Sequence, residues 1–145
     1  HEFLRGKIYA MAGASANHVR INRNLTTQLT AILQGCDCEH FPTDLRVVCP
    51  SGLYTYPDMS IVCGEPEFAD GIKDTLRNPT ALIEILSPGT EKYDRGDKFD
   101  NYRSIDSLRE YVLIAQDRCR IEVFRRESTL AVWEWTAYHN LSETV

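Results

Sequence analysis

The stretch Ala81-Leu82-Ile83-Glu84-Ile85-Leu86 sets a carboxylate in the middle of an unbroken apolar run. A run of this length reads as a strand covered on both faces. A carboxylate buried there must be neutralised, ion-paired or bound to a metal, because an unpaired buried charge is costly. A lone acid of this kind is as often the partner of an arginine as part of a site. Tyr56-Pro57-Asp58-Met59-Ser60-Ile61-Val62 places a second acid, Asp58, at the head of another strand. Pro57 has no N–H to give to a ladder, so that strand end is irregular or lies at the sheet margin. Pro-Asp alone is ordinary turn chemistry. Two acids on adjacent strands, however, can hold one hard cation between them. Mg²⁺ takes a few carboxylates together with waters and phosphate oxygens.

A base follows Glu84 directly. Asp94, Lys98 and Tyr102 recur at i, i+4 and i+8, so they share one helix face. Arg95, Phe99 and Arg103 form the neighbouring stripe, with Phe99 a core contact. The commonest fate of an Asp–Lys pair at this spacing is a surface ion pair. The same spacing would also suit a lysine aimed at Glu84.

These residues need elements to hold them. Residues 16–34 read as a helix: Ser15 can cap it, and Val19, Ile21, Leu25, Leu29, Ile32 and Leu33 recur at helical spacing up to Gly35. Strands are predicted over 7–11, 38–41, 45–49, 56–63 and 81–86, with turns at Pro42-Thr43-Asp44 and Pro50-Ser51-Gly52. A polar loop fills 64–78. Ser87-Pro88-Gly89-Thr90 stops the strand that carries Glu84, and 93–103 reads as a second helix. Residues 111–115, 120–126 and 130–136 look like three strands at hairpin spacing. This order predicts a mixed α/β (α+β) domain around one central mixed sheet flanked by helices. The strands 56–63 and 81–86 should be neighbours in it, with the first helix packed on the sheet.

The chain has 145 residues, which fits one domain. Its five cysteines are an odd count, and Cys49, Cys63 and Cys119 sit in strand-like surroundings. Buried reduced thiols are therefore expected rather than a disulfide framework. Cys36, Cys38 and His40 hint at zinc but lack a second ligand pair of the usual kind. The net charge of −5 argues against a general nucleic-acid coating protein. The distribution is uneven: residues 35–90 hold nine acids and three bases, whereas 91–127 hold nine of each. A locally basic face on an acidic protein is compatible with that. No apolar run approaches the roughly 20 residues of a membrane span, and no signal-peptide pattern is present, so the expectation is a soluble cytoplasmic protein without membrane contact.

Taken in order, Gly6-Lys7-Ile8-Tyr9-Ala10-Met11-Ala12-Gly13, His18, Tyr56-Pro57-Asp58, Val62-Cys63-Gly64, Asn78-Pro79, Glu84-Ile85-Leu86-Ser87-Pro88, Tyr93-Asp94-Arg95-Gly96-Asp97-Lys98-Phe99, Tyr102 and Leu108-Arg109-Glu110-Tyr111-Val112-Leu113 resemble the PD-(D/E)XK nuclease superfamily. Within it the series looks like the Uma-type family of restriction endonucleases, and the resemblance covers nearly the whole chain. It implies a restriction endonuclease-like core and Mg²⁺-dependent hydrolysis of phosphodiester bonds, in DNA, with Mn²⁺ able to substitute. Asp58 and Glu84 would be the metal-binding acids, with the backbone carbonyl at Ile85 a further ligand, and Lys98 would complete the catalytic set. The superfamily pattern sets its lysine two residues after the glutamate. Leu86 stands there, so the resemblance implies that the lysine has moved to the following helix. Glu2 and His18 match further site positions, and Tyr102 and Arg95 are candidates to contact substrate. The resemblance also implies a chain trimmed at its N-terminus and, by analogy with nucleases that cut two strands, a homodimer. The competing readings are a catalytically inactive nucleic-acid-binding or interaction module on the same fold, and a metal-dependent hydrolase of another phosphate substrate.

Overall fold

The structure is a computed structural model that describes residues 2–4, 6–9, 13–69, 71, 73–127, 132–140 and 142. Its main sheet has six strands in the order β11-β10-β9-β8-β6-β3. These are β3 (Cys38–Pro42), β6 (Met59–Cys63), β8 (Ala81–Leu86), β9 (Glu110–Ala115), β10 (Ile121–Arg126) and β11 (Trp133–Tyr138). All neighbouring pairs are antiparallel except β8 and β9, which run parallel, so the sheet is mixed as the sequence predicts.

A second sheet corrects the expectation of a single one. It has five strands, in the order β2-β1-β5-β4-β7. They are β1 (Glu2–Leu4), β2 (Lys7–Tyr9), β4 (Arg46–Val48), β5 (Leu53–Thr55) and β7 (Thr75–Leu76). The segments predicted over 7–11 and 45–49 thus leave the main sheet, and residues 10 and 11 lie outside the described residues. A tight turn makes this possible. Gly52 adopts φ +93°, a left-handed conformation that other residues resist, and the Cys49 N–H donates to the Leu53 carbonyl across the turn. The polar segment 64–78 supplies β7, paired parallel to β4 through Arg46↔Thr75 and Val47↔Leu76.

Strand alternation divides the core in two. On one face of the main sheet Leu82, Leu86, Tyr111 and Leu113 pack with Val47, Leu53 and Leu76 of the second sheet and with Phe99 and Tyr102. On the other face Met59, Ile83 and Ile114 meet Ile21, Leu25 and Leu29 of helix α1 (Ala16–Ile32). That helix is packed on the sheet as predicted. It begins at Ser15, whose side chain accepts from the His18 N–H, and it stops two residues before the predicted end, with Gly35 at φ +84°.

The helix expected over 93–103 is broken. Glu91–Tyr93 (α2) and Phe99–Tyr102 (α3) flank a wide turn, Asp94–Lys98, in which Gly96 leaves helical geometry (φ −113°, ψ −105°). Glycine makes this departure cheap, since it carries no Cβ. The last strand is described over Trp133–Tyr138, two residues beyond the predicted end, and residues 128–131, which include the predicted start, lie outside the described set.

Cys38 and Cys63 form a disulfide, against the expectation of reduced thiols. The reason is register: the two residues are direct partners of the β3–β6 ladder, which the sequence alone does not reveal. The bond removes Cys38 from any ligand set with Cys36 and His40. Among the described residues no helix is long and apolar enough to cross a membrane.

Candidate functional site

The β6–β8 ladder runs from Ile61↔Ala81 to Met59↔Ile83. One step further, Asp58 comes level with Glu84. The paired register ends at Met59, and the Asp58 side chain serves the next donor of β8: Oδ2 accepts the Ile85 N–H at 2.7 Å. Its other oxygen, Oδ1, lies 2.8 Å from Nε2 of His18 on α1. One turn along the same helix, Asn22 donates from Nδ2 to the Asp58 carbonyl at 3.1 Å. Asp58 is therefore gripped from the sheet and from the helix. The hydrogen bond to Asp58 also raises the His18 pKa above its ordinary value, against the opposing effect of burial.

Glu84 shares its strand face with Leu82 and Leu86, so it points into the layer occupied by α3. It is 4% exposed. Its Oε1 accepts from the Tyr102 hydroxyl at 2.8 Å and lies 2.9 Å from the Lys98 ammonium. Lys98 is itself 3% exposed. Its Nζ is also 3.5 Å from Oδ1 of Asp94, another buried acid. The expected i,i+4 pair exists, but inside the protein rather than at its surface. Burial drives the Glu84 pKa up to about 8; the Lys98 charge opposes this, while the charges of Asp94 and Asp58 add to it. Burial likewise pushes the Tyr102 hydroxyl well above its usual range, so it donates to Glu84 as a neutral phenol.

Asp58, just before β6, is thus bonded to His18 of α1 and to the Ile85 N–H of β8, and the neighbouring residue of β8, Glu84, is bonded to Lys98 and Tyr102. Glu2 is placed in β1 by its backbone, and its side chain lies outside the described set. Arg95 is turned elsewhere. It forms a bidentate pair with Glu122 of β10 at 2.6 and 2.8 Å, and its Nε reaches Glu91 at 2.9 Å. Glu122 is buried and also meets Arg120 and the Trp135 indole. Burial alone would raise the Glu122 pKa, but the bonds from Arg95 and Trp135 prevail and lower it. A lowered folded value contributes stability above the normal carboxylate range that is lost as pH falls through it. Glu122→Gln is accordingly expected to destabilise the protein by about 1–3 kcal/mol at neutral pH, with a smaller difference in acid. Urea midpoints at both pH values measure this.

The sequence reading missed Asn22 and Glu122. Asn22 stands four residues after His18, a spacing that could have marked it, whereas Glu122 carries no local signal that distinguishes it from a solvent-facing strand residue.

A divalent cation is the group these residues would suit. Among the described residues no set of three or more His, Cys, Asp or Glu side chains is gathered as a metal cage. Two carboxylates and a backbone carbonyl are hard oxygen donors, and Mg²⁺ normally completes such an incomplete set with water and substrate oxygens. Glu84, held in an apolar strand with its charged form disfavoured, is the acid that a cation would most relieve. The chemistry of the two acids therefore suits a divalent cation.

Comparison with known proteins gives relatives over most of the chain. An uncharacterised protein of Synechocystis sp., sll1609, is 37% identical over 126 residues, which take in 86% of this chain and 71% of that protein. A second one from the same organism, slr1290, is 36% identical over 127 residues, 87% of this chain and 66% of that protein. The chain thus spans about two thirds of the length of the curated relatives it matches. The crystal structure of a protein from Anabaena variabilis, described as "a putative nuclease belonging to DUF820", superposes with a TM-score of 0.80 over 99% of this chain and 79% of that one. Its sequence identity is 19%, so the likeness is one of fold. A family profile, Uma2, described as "Putative restriction endonuclease", matches residues 1–145.

Proposed function

The chain belongs to the Uma2 restriction endonuclease family, and on that premise we propose that it is a Mg²⁺-dependent endonuclease that hydrolyses phosphodiester bonds in DNA, with Mn²⁺ able to substitute. The observation that carries the proposal is the buried ammonium of Lys98 at 2.9 Å from Glu84, with a second acid, Asp58, bonded to the N–H of the next residue along the same strand, Ile85. A plain structural ion pair would not need a second acid held level with the first by an N–H of the strand that bears it.

In this reading Asp58, Glu84 and the Ile85 carbonyl hold the ion, which when bound polarises the phosphate and acidifies a water. The protein's own residues do the rest. His18 and Asn22 fix Asp58, so its carboxylate needs little reorganisation to act as a ligand. Lys98 offers its positive charge to the phosphate as negative charge builds during attack. Tyr102 orients Glu84 through its hydroxyl. Arg95 is tied to Glu122 and Glu91, and a role in gripping substrate would require it to share those partners. An acidic chain can still bind DNA, because the ion supplies positive charge at the centre of the site. Two copies, one for each strand, would account for a double-strand cut.

Asp58→Asn tests the proposal. It keeps the shape of the side chain and removes the charge. Calorimetric Mg²⁺ binding is expected to weaken at least about tenfold, and nicking of supercoiled plasmid to be lost. Equal Mg²⁺ binding by wild type and variant would take Asp58 out of the site.

A further inference from the structure

We propose that Asp94 is a positioning residue that retains the Lys98 ammonium in the site when Glu84 is committed to a metal ion, an inference that rests on the nuclease reading above. In the structure the ammonium sits between two buried acids, 2.9 Å from Glu84 Oε1 and 3.5 Å from Asp94 Oδ1. Both Asp94 and Lys98 are 3% exposed. Glu84 Oε1 already serves Lys98 and Tyr102 together. An acid shared with a divalent cation holds an ammonium less tightly, because the cation repels it. A buried ammonium without a counter-charge is strongly disfavoured. Lys98 would then swing toward solvent or compete with the ion for Glu84, unless a second acid stays with it.

The local fold supplies that acid. The wide turn around Gly96 sets Asp94 and Lys98 at its two ends, with both side chains inward. The Asp94 carbonyl accepts the Tyr111 hydroxyl at 2.9 Å, and Tyr111 stacks on Phe99 at 5.0 Å between ring centroids. The backbone of Asp94 is therefore pinned to β9 through a packed aromatic pair, independently of Glu84. Charge balance agrees when His18 is the neutral imidazole. Asp58, Glu84 and Asp94, ionised beside one ammonium, then leave a deficit of two positive charges, which a single divalent cation would cancel. Without Asp94 the loaded site would carry a net positive charge of one, a poorer home for both cations.

The test follows Lys98 directly. Wild type and Asp94→Asn are treated with an amine-acylating reagent, with Mg²⁺ or with EDTA, and modification of Lys98 is read by mass spectrometry. Lys98 is expected to stay protected in wild type under both conditions. In Asp94→Asn with Mg²⁺ its labelling should rise about tenfold or more, since each 1.4 kcal/mol of lost retention opens the side chain tenfold. Plasmid nicking by Asp94→Asn should fall in kcat with the KM for DNA little changed, and the same substitution in a Lys98→Met background should lower kcat no further. Labelling of Lys98 at the wild-type rate in the Mg²⁺-loaded variant would overturn the proposal. If Asp94→Asn does not fold, the pair predicts that adding Lys98→Met restores folding; failure to restore it would overturn the proposal as well. Wild type that neither binds Mg²⁺ nor nicks plasmid would instead remove the nuclease reading, a result separable from the labelling of the variant.

Discussion

Lys98→Ala is expected to lower plasmid nicking about 10²–10³-fold while calorimetric Mg²⁺ binding persists. The ligands assigned to the ion are Asp58, Glu84 and the Ile85 carbonyl, and none of them is removed. What is lost is the positive charge that faces the phosphate in the transition state, and a charge that acts only there lowers kcat more than it weakens binding. The fold should survive. Removing one partner of a buried pair usually costs about 3–5 kcal/mol because the other charge is stranded. Here burial raises the Glu84 pKa to about 8, so it can take up a proton at neutral pH instead of remaining charged, and the cost falls on the second buried acid, Asp94, alone. Lys92→Ala provides the control. Lys92 is exposed on α2, away from both acids, and that variant should keep most of the activity. Nicking by Lys98→Ala at near the wild-type rate would sink the assignment of Lys98 to catalysis, and the inactive DNA-binding reading would then stand ahead of it.

The burial of Glu84 was easier to read from the sequence than the elements around it. Glu84 announced itself because five apolar neighbours leave a carboxylate no exposed face, and the structure does bury it. Pro57 marked the end of a strand, and β6 begins two residues later, at Met59. The i,i+4 rule placed Lys98 over Asp94 correctly but could not tell a surface pair from a buried one, since that depends on what packs over the helix. The break at Gly96 was hidden for a related reason: a glycine in a helix costs only about 1 kcal/mol relative to alanine, so its presence does not decide whether the helix continues. The second sheet was illegible because β5 and β7 are three and two residues long and owe their existence to distant partners, as in Arg46↔Thr75. The Cys38–Cys63 bond depends on a register between strands 25 residues apart. Arg95 looked available because its partner, Glu122, comes from β10, far along the chain.

Glu84→Gln is expected to separate the stability of the metal-free protein from its function. The folded pKa of Glu84 is about 8, against an ordinary value of 4.5. Between those values the folded protein keeps a proton that the unfolded chain releases, so stability falls as pH rises through the window. The steepest slope one such group can impose is about 1.4 kcal/mol per pH unit. Coupling to Lys98, Asp94 and Asp58 spreads the titration but leaves its sign unchanged. In EDTA, urea unfolding of wild type should therefore show declining stability from about pH 5 to pH 8, superimposed on whatever the rest of the protein contributes. Glu84→Gln has no proton to lose, and Tyr102 can still donate to the amide oxygen, so this component should vanish and the variant should gain on wild type as pH rises. Mg²⁺ reverses the comparison. It binds the ionised acid, so its affinity for wild type should increase with pH up to about 8, and its stabilising effect should be largest there. The variant should show neither effect and should not cleave DNA. Parallel pH profiles for wild type and Glu84→Gln in EDTA would mean that Glu84 is ionised at neutral pH without an ion. The buried acid would then be a settled ion pair with Lys98 rather than a ligand waiting for a metal.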